Sequence, residues 1–134
     1  MNDVRMSFNV DPHDLVMEFH TTYGMPVGNK VDWLTQERIN LRKNLIDEEY
    51  NELIDAIVVR DMEEVADALG DLVYVVYGMA IEMGINLGAV LEEIQESNMS
   101  KLGEDGLPIY REDGKVLKGP NFFPPNITRA LYGN

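Results

Sequence analysis

Cysteine is absent from the chain. That excludes a disulfide framework, a thiolate zinc site and a thiol nucleophile, and with nothing to suggest an oxidising compartment a cytoplasmic address is the expectation. Positive charge is scarce, with 11 Lys and Arg against 24 Asp and Glu and a formal net charge of −13. A surface of that sign repels phosphate backbones, so a nucleic-acid polymer is not an expected partner, whereas a small phosphorylated ligand held through a divalent cation is compatible with it. Long hydrophobic runs are missing too. The longest uncharged apolar stretch, residues 72–81, falls well short of the ~18 residues needed to cross a bilayer, so no membrane partner is expected. The first ten residues intersperse Asn2, Asp3, Arg5 and Asn9 among apolar side chains, and so lack the apolar core of a secretory signal. What is present, 134 residues with 45% hydrophobic side chains, suits one domain with one core over residues 1–134.

Punctuation along the chain predicts an all-α fold, a four-helix core arranged as an antiparallel bundle followed by an irregular tail. Asp11 and Pro12 supply an N-cap and a first-turn proline, Leu15, Val16, Phe19 and Tyr23 form an apolar stripe, and Gly24 stops the first helix. After a loop over residues 24–32, a longer helix runs from residue 33 or 35 to 59 with Ile39, Ile46, Tyr50, Leu53, Ile54 and Ile57 at helical spacing. Asp61 caps the third helix, with Glu64 as its capping-box partner, and Gly84 ends it. Asn86 caps the fourth, which carries Leu87, Val90, Leu91 and Ile94 to about Ser100. Residues 103–134 hold five of the eleven glycines and four of the six prolines, so no long helix crosses them. Within them, Asp113-Gly114 is the dipeptide of a tight type I′ hairpin turn, and a last short helix is expected from Asn126 to Leu131. The uncharged apolar run of the third helix is hard to cover within one thin chain, which predicts a homodimer or higher oligomer.

The negative charge is local. Residues 47–71 contain ten acidic side chains and one basic one, Arg60. At 100° per residue, Glu49 lies about 40° from Leu53, on the inward sector of the second helix, with Glu52 on the rim and Glu48 and Asp55 further out. On the third helix Glu64, Asp67 and Asp71 share one face that continues into the apolar half. A short turn at Arg60 and Asp61 makes the two helices antiparallel neighbours, so Glu49 and Glu52 should meet Asp67 and Asp71. Convergent carboxylates cannot all ionise without countercharge, and hard oxygen ligands suit Mg²⁺, with Mn²⁺ as a substitute. The metal set expected from this geometry is therefore Glu49, Glu52, Asp67 and Asp71, with Glu64, on the same face but also the capping-box partner of Asp61, as a further candidate. Arg38 and Arg42 lie on the sector of Glu49, where they either pair with carboxylates or reach a ligand, and pairing is the expected role. Trp33 is a candidate to stack on a base; Tyr74, Tyr77, Met79, Met83 and Met99 read as core.

These residues also carry a resemblance. Glu48-Glu49-Tyr50-Asn51-Glu52, followed by Asp67-Ala68-Leu69-Gly70-Asp71-Leu72-Val73-Tyr74, resembles the paired acidic motifs of the all-α nucleoside triphosphate pyrophosphohydrolases, a superfamily that takes in the MazG-like proteins, phosphoribosyl-ATP pyrophosphohydrolase and the dimeric dUTPases. The likeness extends to Ser97-Asn98-Met99-Ser100-Lys101 and to the run Asp113-Gly114-Lys115-Val116-Leu117-Lys118-Gly119-Pro120. One departure is Ala68, where many relatives have a glutamate. The missing acid is replaced by Asp67 at i, i+4 from Asp71, or the usual spacing is met one turn earlier by Glu64 and Asp67.

The resemblance implies Mg²⁺-dependent cleavage of a nucleoside triphosphate between the α and β phosphates, giving a monophosphate and pyrophosphate. In that scheme Glu48 is the candidate general base, and Asn98, Lys101, Lys115 and Lys118, with Trp33, are the candidate substrate contacts. Two non-enzymatic readings compete: a divalent-metal-binding regulatory module, and an acidic interaction protein that mimics nucleic-acid charge. Neither has a use for Lys101, Lys115 and Lys118 as phosphate-binding cations.

Overall fold

The computed structural model describes residues 10–134, which sort into two compact units dividing between Ile85 and Asn86. The start of the segment read above for its lack of a secretory core, residues 1–9, lies outside the described residues. The architecture is all-α: α1 (Pro12–Thr22), α2 (Gln36–Val59) and α3 (Met62–Glu82) in the first unit, α4 (Leu87–Met99) and α5 (Ile127–Tyr132) in the second. No single described helix is long and apolar enough to cross a membrane.

The sequence punctuation operates as read. Asp11 accepts from the His13 amide at 2.9 Å, and Gly24 follows the helix at φ +67°. Thr35 caps α2 by accepting from the Arg38 amide, so the helix takes the later of the two expected starts. At the α2–α3 turn Arg60 adopts the left-handed region (φ 56°), and the amides of Arg60 and Asp61 return to Ile57 and Ala56 at 3.2 and 3.1 Å. This closes the last carbonyls of α2. Asp61 then accepts from the Glu64 amide at 3.2 Å, but its own amide is already spent on Ala56. The reciprocal half of the expected capping box is therefore not formed.

Within the first unit, α2 and α3 make the most extensive helix contact, and α1 packs on α3. The line that α2 turns toward α3 is Arg42, Glu49 and Ala56, spaced by seven. Ala56 and Ala68 are both buried, at 5% and 3% exposure, so the backbones approach closely near the turn. The segment after α1 seats on the C-terminal end of α3: Gly28 donates to Ile81 at 2.9 Å and Asp32 to Met83 at 3.1 Å. A side chain at Gly28 would fall 2.6 Å from the Glu82 carbonyl, so only glycine permits that seat.

The α2 stripe read as core is only partly so. Tyr50, Ile54 and Ile57 stay exposed, as do Met62, Leu69, Val73 and Val76 on α3. The reason is that α2 offers α3 a line containing two charged residues, which leaves its most apolar line turned aside.

In the second unit, Asn86 caps α4 through the Ala89 amide at 3.1 Å. The tail is tied back to α4. The Ser97 hydroxyl donates to Phe123 at 2.8 Å, and Arg129 of α5 holds Glu93 at 2.7 and 2.9 Å. Gly119 passes so near α4's end that an added Cβ would meet the Leu102 carbonyl at 1.9 Å. A hairpin forms around Gly114, with one antiparallel bridge between Tyr110 and Val116, but its turn is not type I′. Asp113 has negative φ, and only Gly114 is left-handed (φ +89°). The Gly114 amide returns to Arg111 at 2.9 Å, a wider turn than the dipeptide predicted. Arg111 donates to the Asp113 carboxylate within this wider turn.

Candidate active site

The α2–α3 hairpin brings three of the expected carboxylates together. Glu49 and Glu52, one turn apart on α2, and Asp71 on α3 each offer an oxygen, and these oxygens lie within 4.8 Å of one another. Asp71 comes opposite because the hairpin is antiparallel with a two-residue turn. Glu49 is half-buried, and its Oε2 is enclosed with no hydrogen-bond partner. An enclosed carboxylate oxygen without a donor is costly unless a cation or a proton satisfies it.

The electrostatics agree. Burial pushes the Glu49 carboxyl above the usual carboxylate range, and the neighbouring charges of Glu52, Asp71 and Glu48 push the same way. Asp71 is raised too, first by burial and then by Asp67 and Glu52. None of the three carboxylates pairs with a Lys or Arg among the described residues. Oxygen-only ligands, mutual repulsion and an unsatisfied oxygen together fit a hard divalent cation such as Mg²⁺ or Mn²⁺.

Toward the turn the site opens into a cleft of about 520 Å³ lined by Glu52, Asp55, Glu64 and Asp67 over a floor of Ala56 and Ala68. Glu64 and Asp67 therefore line the groove beside the three-carboxylate cluster without joining it. Ala68, with only a methyl side chain, adds no carboxylate to this floor. Glu48 is exposed on α2 next to Glu49. Trp33 is 78% exposed in the segment before α2, its amide on the Asp32 side chain at 2.8 Å. Asn98, Lys101, Lys115 and Lys118 belong to the second unit, where Lys118 lies over the Phe122 ring at 4.8 Å.

Sequence reasoning missed Glu82. It sits at the last turn of α3, 4% exposed, and receives Arg38 and Arg42 together. The expected ion pairing of the two arginines is thus real, but the partner lies far along α3 from the carboxylate cluster. The available signal was Glu82 itself, a lone acid closing an uncharged apolar run.

The model of the phosphoribosyl-ATP pyrophosphohydrolase family matches residues 16–98, which span all three clustered carboxylates. The chain belongs to that family. A similar relative is the uncharacterized protein L479 of Acanthamoeba polyphaga mimivirus, 35% identical over 111 residues that cover 78% of this chain and 44% of that protein. The chain thus spans less than half the length of the curated relative it matches. A solved structure from Exiguobacterium sp. 255-15, provisionally described as an NTP pyrophosphohydrolase, is 25% identical, with coverage of 90% of this chain and 92% of that one at a TM-score of 0.46. Family membership rests on the family match.

Proposed function

We propose that the chain is a Mg²⁺-dependent pyrophosphohydrolase that cleaves a (deoxy)nucleoside triphosphate between its α and β phosphates, in nucleotide-pool control. The observation that carries this reading is the convergence of Glu49, Glu52 and Asp71, of which Glu49 also keeps an enclosed oxygen without a hydrogen-bond partner. Glu49, Glu52 and Asp71 would hold the ion, with Asp67 and Glu64 positioned along the groove to orient it or a second one. A bound divalent ion supplies the charge that admits polyphosphate to an acidic groove and makes a nearby water easier to deprotonate.

Everything else falls to the chain's own groups. Glu48, exposed and adjacent to the cluster, takes the proton from the attacking water. The water oxygen bonds to the α phosphorus, the α–β anhydride bond breaks, and its electron pair leaves with pyrophosphate. Lys101, Lys115 and Lys118 are assigned to the phosphate chain and Asn98 to a sugar or phosphate oxygen. Trp33, with most of its surface free, is assigned to the base. Replacing Lys115 and Lys118 by alanine should then raise KM while leaving Mn²⁺ binding unchanged.

The working unit in this proposal is a homodimer, built on the open apolar side of the α2–α3 hairpin. Leu69, Val73 and Val76 lie about 145° around α3 from its α2-facing line, and Tyr50, Ile54 and Ile57 about 105° around α2 from its α3-facing line. Since the helices run antiparallel, both offsets turn to the same side, whereas Glu48, Glu52 and Asp67 turn to the other. A second copy of the chain fits this surface best. An apolar cavity of about 380 Å³, lined by Leu15, Val16, Leu69, Val73 and Tyr74, adjoins this surface at Leu69 and Val73 and offers room for apolar side chains of a second copy. Charge selects the orientation. All acids of α3 before its last residue lie in its first half, so a parallel pairing would set them against each other and an antiparallel two-fold pairing would not.

Incubation with a panel of nucleoside and deoxynucleoside triphosphates and Mg²⁺, with pyrophosphate as the readout, tests the function. Release from at least one triphosphate is expected. No release from any, with Mn²⁺ still bound, would favour the metal-binding regulatory reading instead.

A further inference from the structure

Arg42 is an unusual residue to find between two helices. It is 5% exposed, its Nη1 donates to Glu82 at 3.2 Å, its Nη2 donates to the main-chain carbonyl of Val75 at 2.8 Å, and its Nε is buried without a partner. The guanidinium crosses α3 at Gly78, where an added Cβ would lie 2.0 Å from Nη2. A glycine inside a 21-residue helix, here one turn before its C-terminal end, weakens it, and the missing side chain makes the room that the guanidinium occupies. Hydrophobic filling would pack this gap as well, but it would not be directional; a planar fork on a main-chain carbonyl and a buried carboxylate fixes both the slide and the rotation of α2 along α3.

The position of this contact along the hairpin gives it a further consequence. Arg42, Glu49 and Ala56 occupy one line of α2, two turns apart each. The middle layer, where Glu49 and Glu52 meet Asp71, repels itself and has no Lys or Arg partner among the described residues. It is flanked on one side by the Ala56 and Ala68 approach and on the other by Arg42 across Gly78. Two attractive layers thus bracket one repulsive layer, and only the Arg42 layer is directional.

We propose that Arg42, seated against Gly78, Val75 and Glu82, is a positioning residue that sets the α2–α3 register at which Glu49 and Glu52 face Asp71, and so determines the affinity of the carboxylate site for a divalent cation. The inference rests on the metal reading of that site. It touches neither substrate nor ion itself; it acts through the helix.

The test measures Mn²⁺ binding to the full chain by titration calorimetry, with thermal melting of the metal-free protein alongside. Arg42→Met, which keeps length and burial but no directional bond, should weaken Mn²⁺ binding at least tenfold, about 1.4 kcal/mol. Arg42→Lys, which can still reach one acceptor, should recover part of that loss. Gly78→Ala retains every charge and displaces the guanidinium, so it should weaken Mn²⁺ binding in the same direction even if Arg42→Met does not fold. Arg129→Met, which breaks an ion pair in the other unit, should leave Mn²⁺ affinity unchanged. Folded Arg42→Met or Gly78→Ala protein with Mn²⁺ affinity within twofold of the unaltered chain overturns the proposal while leaving the metal site standing. No Mn²⁺ binding by the unaltered chain overturns the metal reading and this one with it.

Discussion

Arg38 grips Glu82 with both edges of its guanidinium, Nε to Oε1 at 2.9 Å and Nη2 to Oε2 at 2.7 Å, and the carboxylate it holds has no solvent exposure. Arg42 donates to the same Oε2. The cluster places two cations on one buried acid, so removing the acid leaves a buried guanidinium without its charge partner. Glu82→Gln is expected to cost about 3–5 kcal/mol of stability, measured by urea unfolding. A loss below about 1 kcal/mol would mean that water already satisfies the arginines.

Glu49→Gln and Asp71→Asn should each abolish pyrophosphate release while the helical circular dichroism stays unchanged, since each removes a ligand charge and almost no volume. The same substitutions should raise the melting temperature of metal-free protein by relieving like-charge crowding. Near-normal turnover in both variants would refute the site.

Arg129 holds the Glu93 carboxyl below its usual range, chiefly through its side-chain hydrogen bond and then its charge. A depressed carboxylate stabilises the fold at pH values above its unfolded pKa, and the contribution disappears as pH falls through the lower folded value. Glu93 accordingly ties α5 to α4 at neutral pH and releases it in acid. Amide exchange in α5 should quicken as pH is lowered through that window, after correction for intrinsic rates, and Glu93→Gln should remove the dependence. An unchanged pH profile in the variant would assign the effect to other groups.

Light scattering should give twice the 15.2 kDa chain mass at micromolar concentration, and Val73→Glu should return it to the single-chain value with α-helix content retained. A monomeric unaltered chain would contradict the proposed partner, whereas a dimer indifferent to Val73→Glu would move the interface elsewhere.

Helix positions were legible because caps and stops are local chemistry: Asp11 with Pro12, Thr35, Asp61, Asn86 and Asn126 each bond an amide two or three residues away. The inward turn of Glu49 was legible too, since periodicity alone puts it beside Leu53, and the short turn at Arg60 and Asp61 set Asp71 across from it. Periodicity did not separate Asp71, which joins the cluster, from Asp67 and Glu64, which line the groove beside it. All three share a face, and which reaches the cluster depends on the axial register of two helices. The turn at Gly114 was misread for a similar reason. The dipeptide permits a type I′ turn, but the strand register set by Leu117 on Ile109 and Arg111 on Lys115 leaves a wider turn in which only Gly114 is left-handed.

By itself the sequence determined the all-α class, the helix ends, the local concentration of acid and the family, because each follows from interactions spanning a few residues or from a motif order. Only the tertiary structure decided that Glu82 is the buried partner of Arg38 and Arg42, that Gly78 is the space the guanidinium fills, and that the most apolar line of α2 turns away from α3. Those are contacts between residues some forty positions apart. They are set by which faces of two helices can approach most closely, and no periodicity within one helix encodes the register of the other.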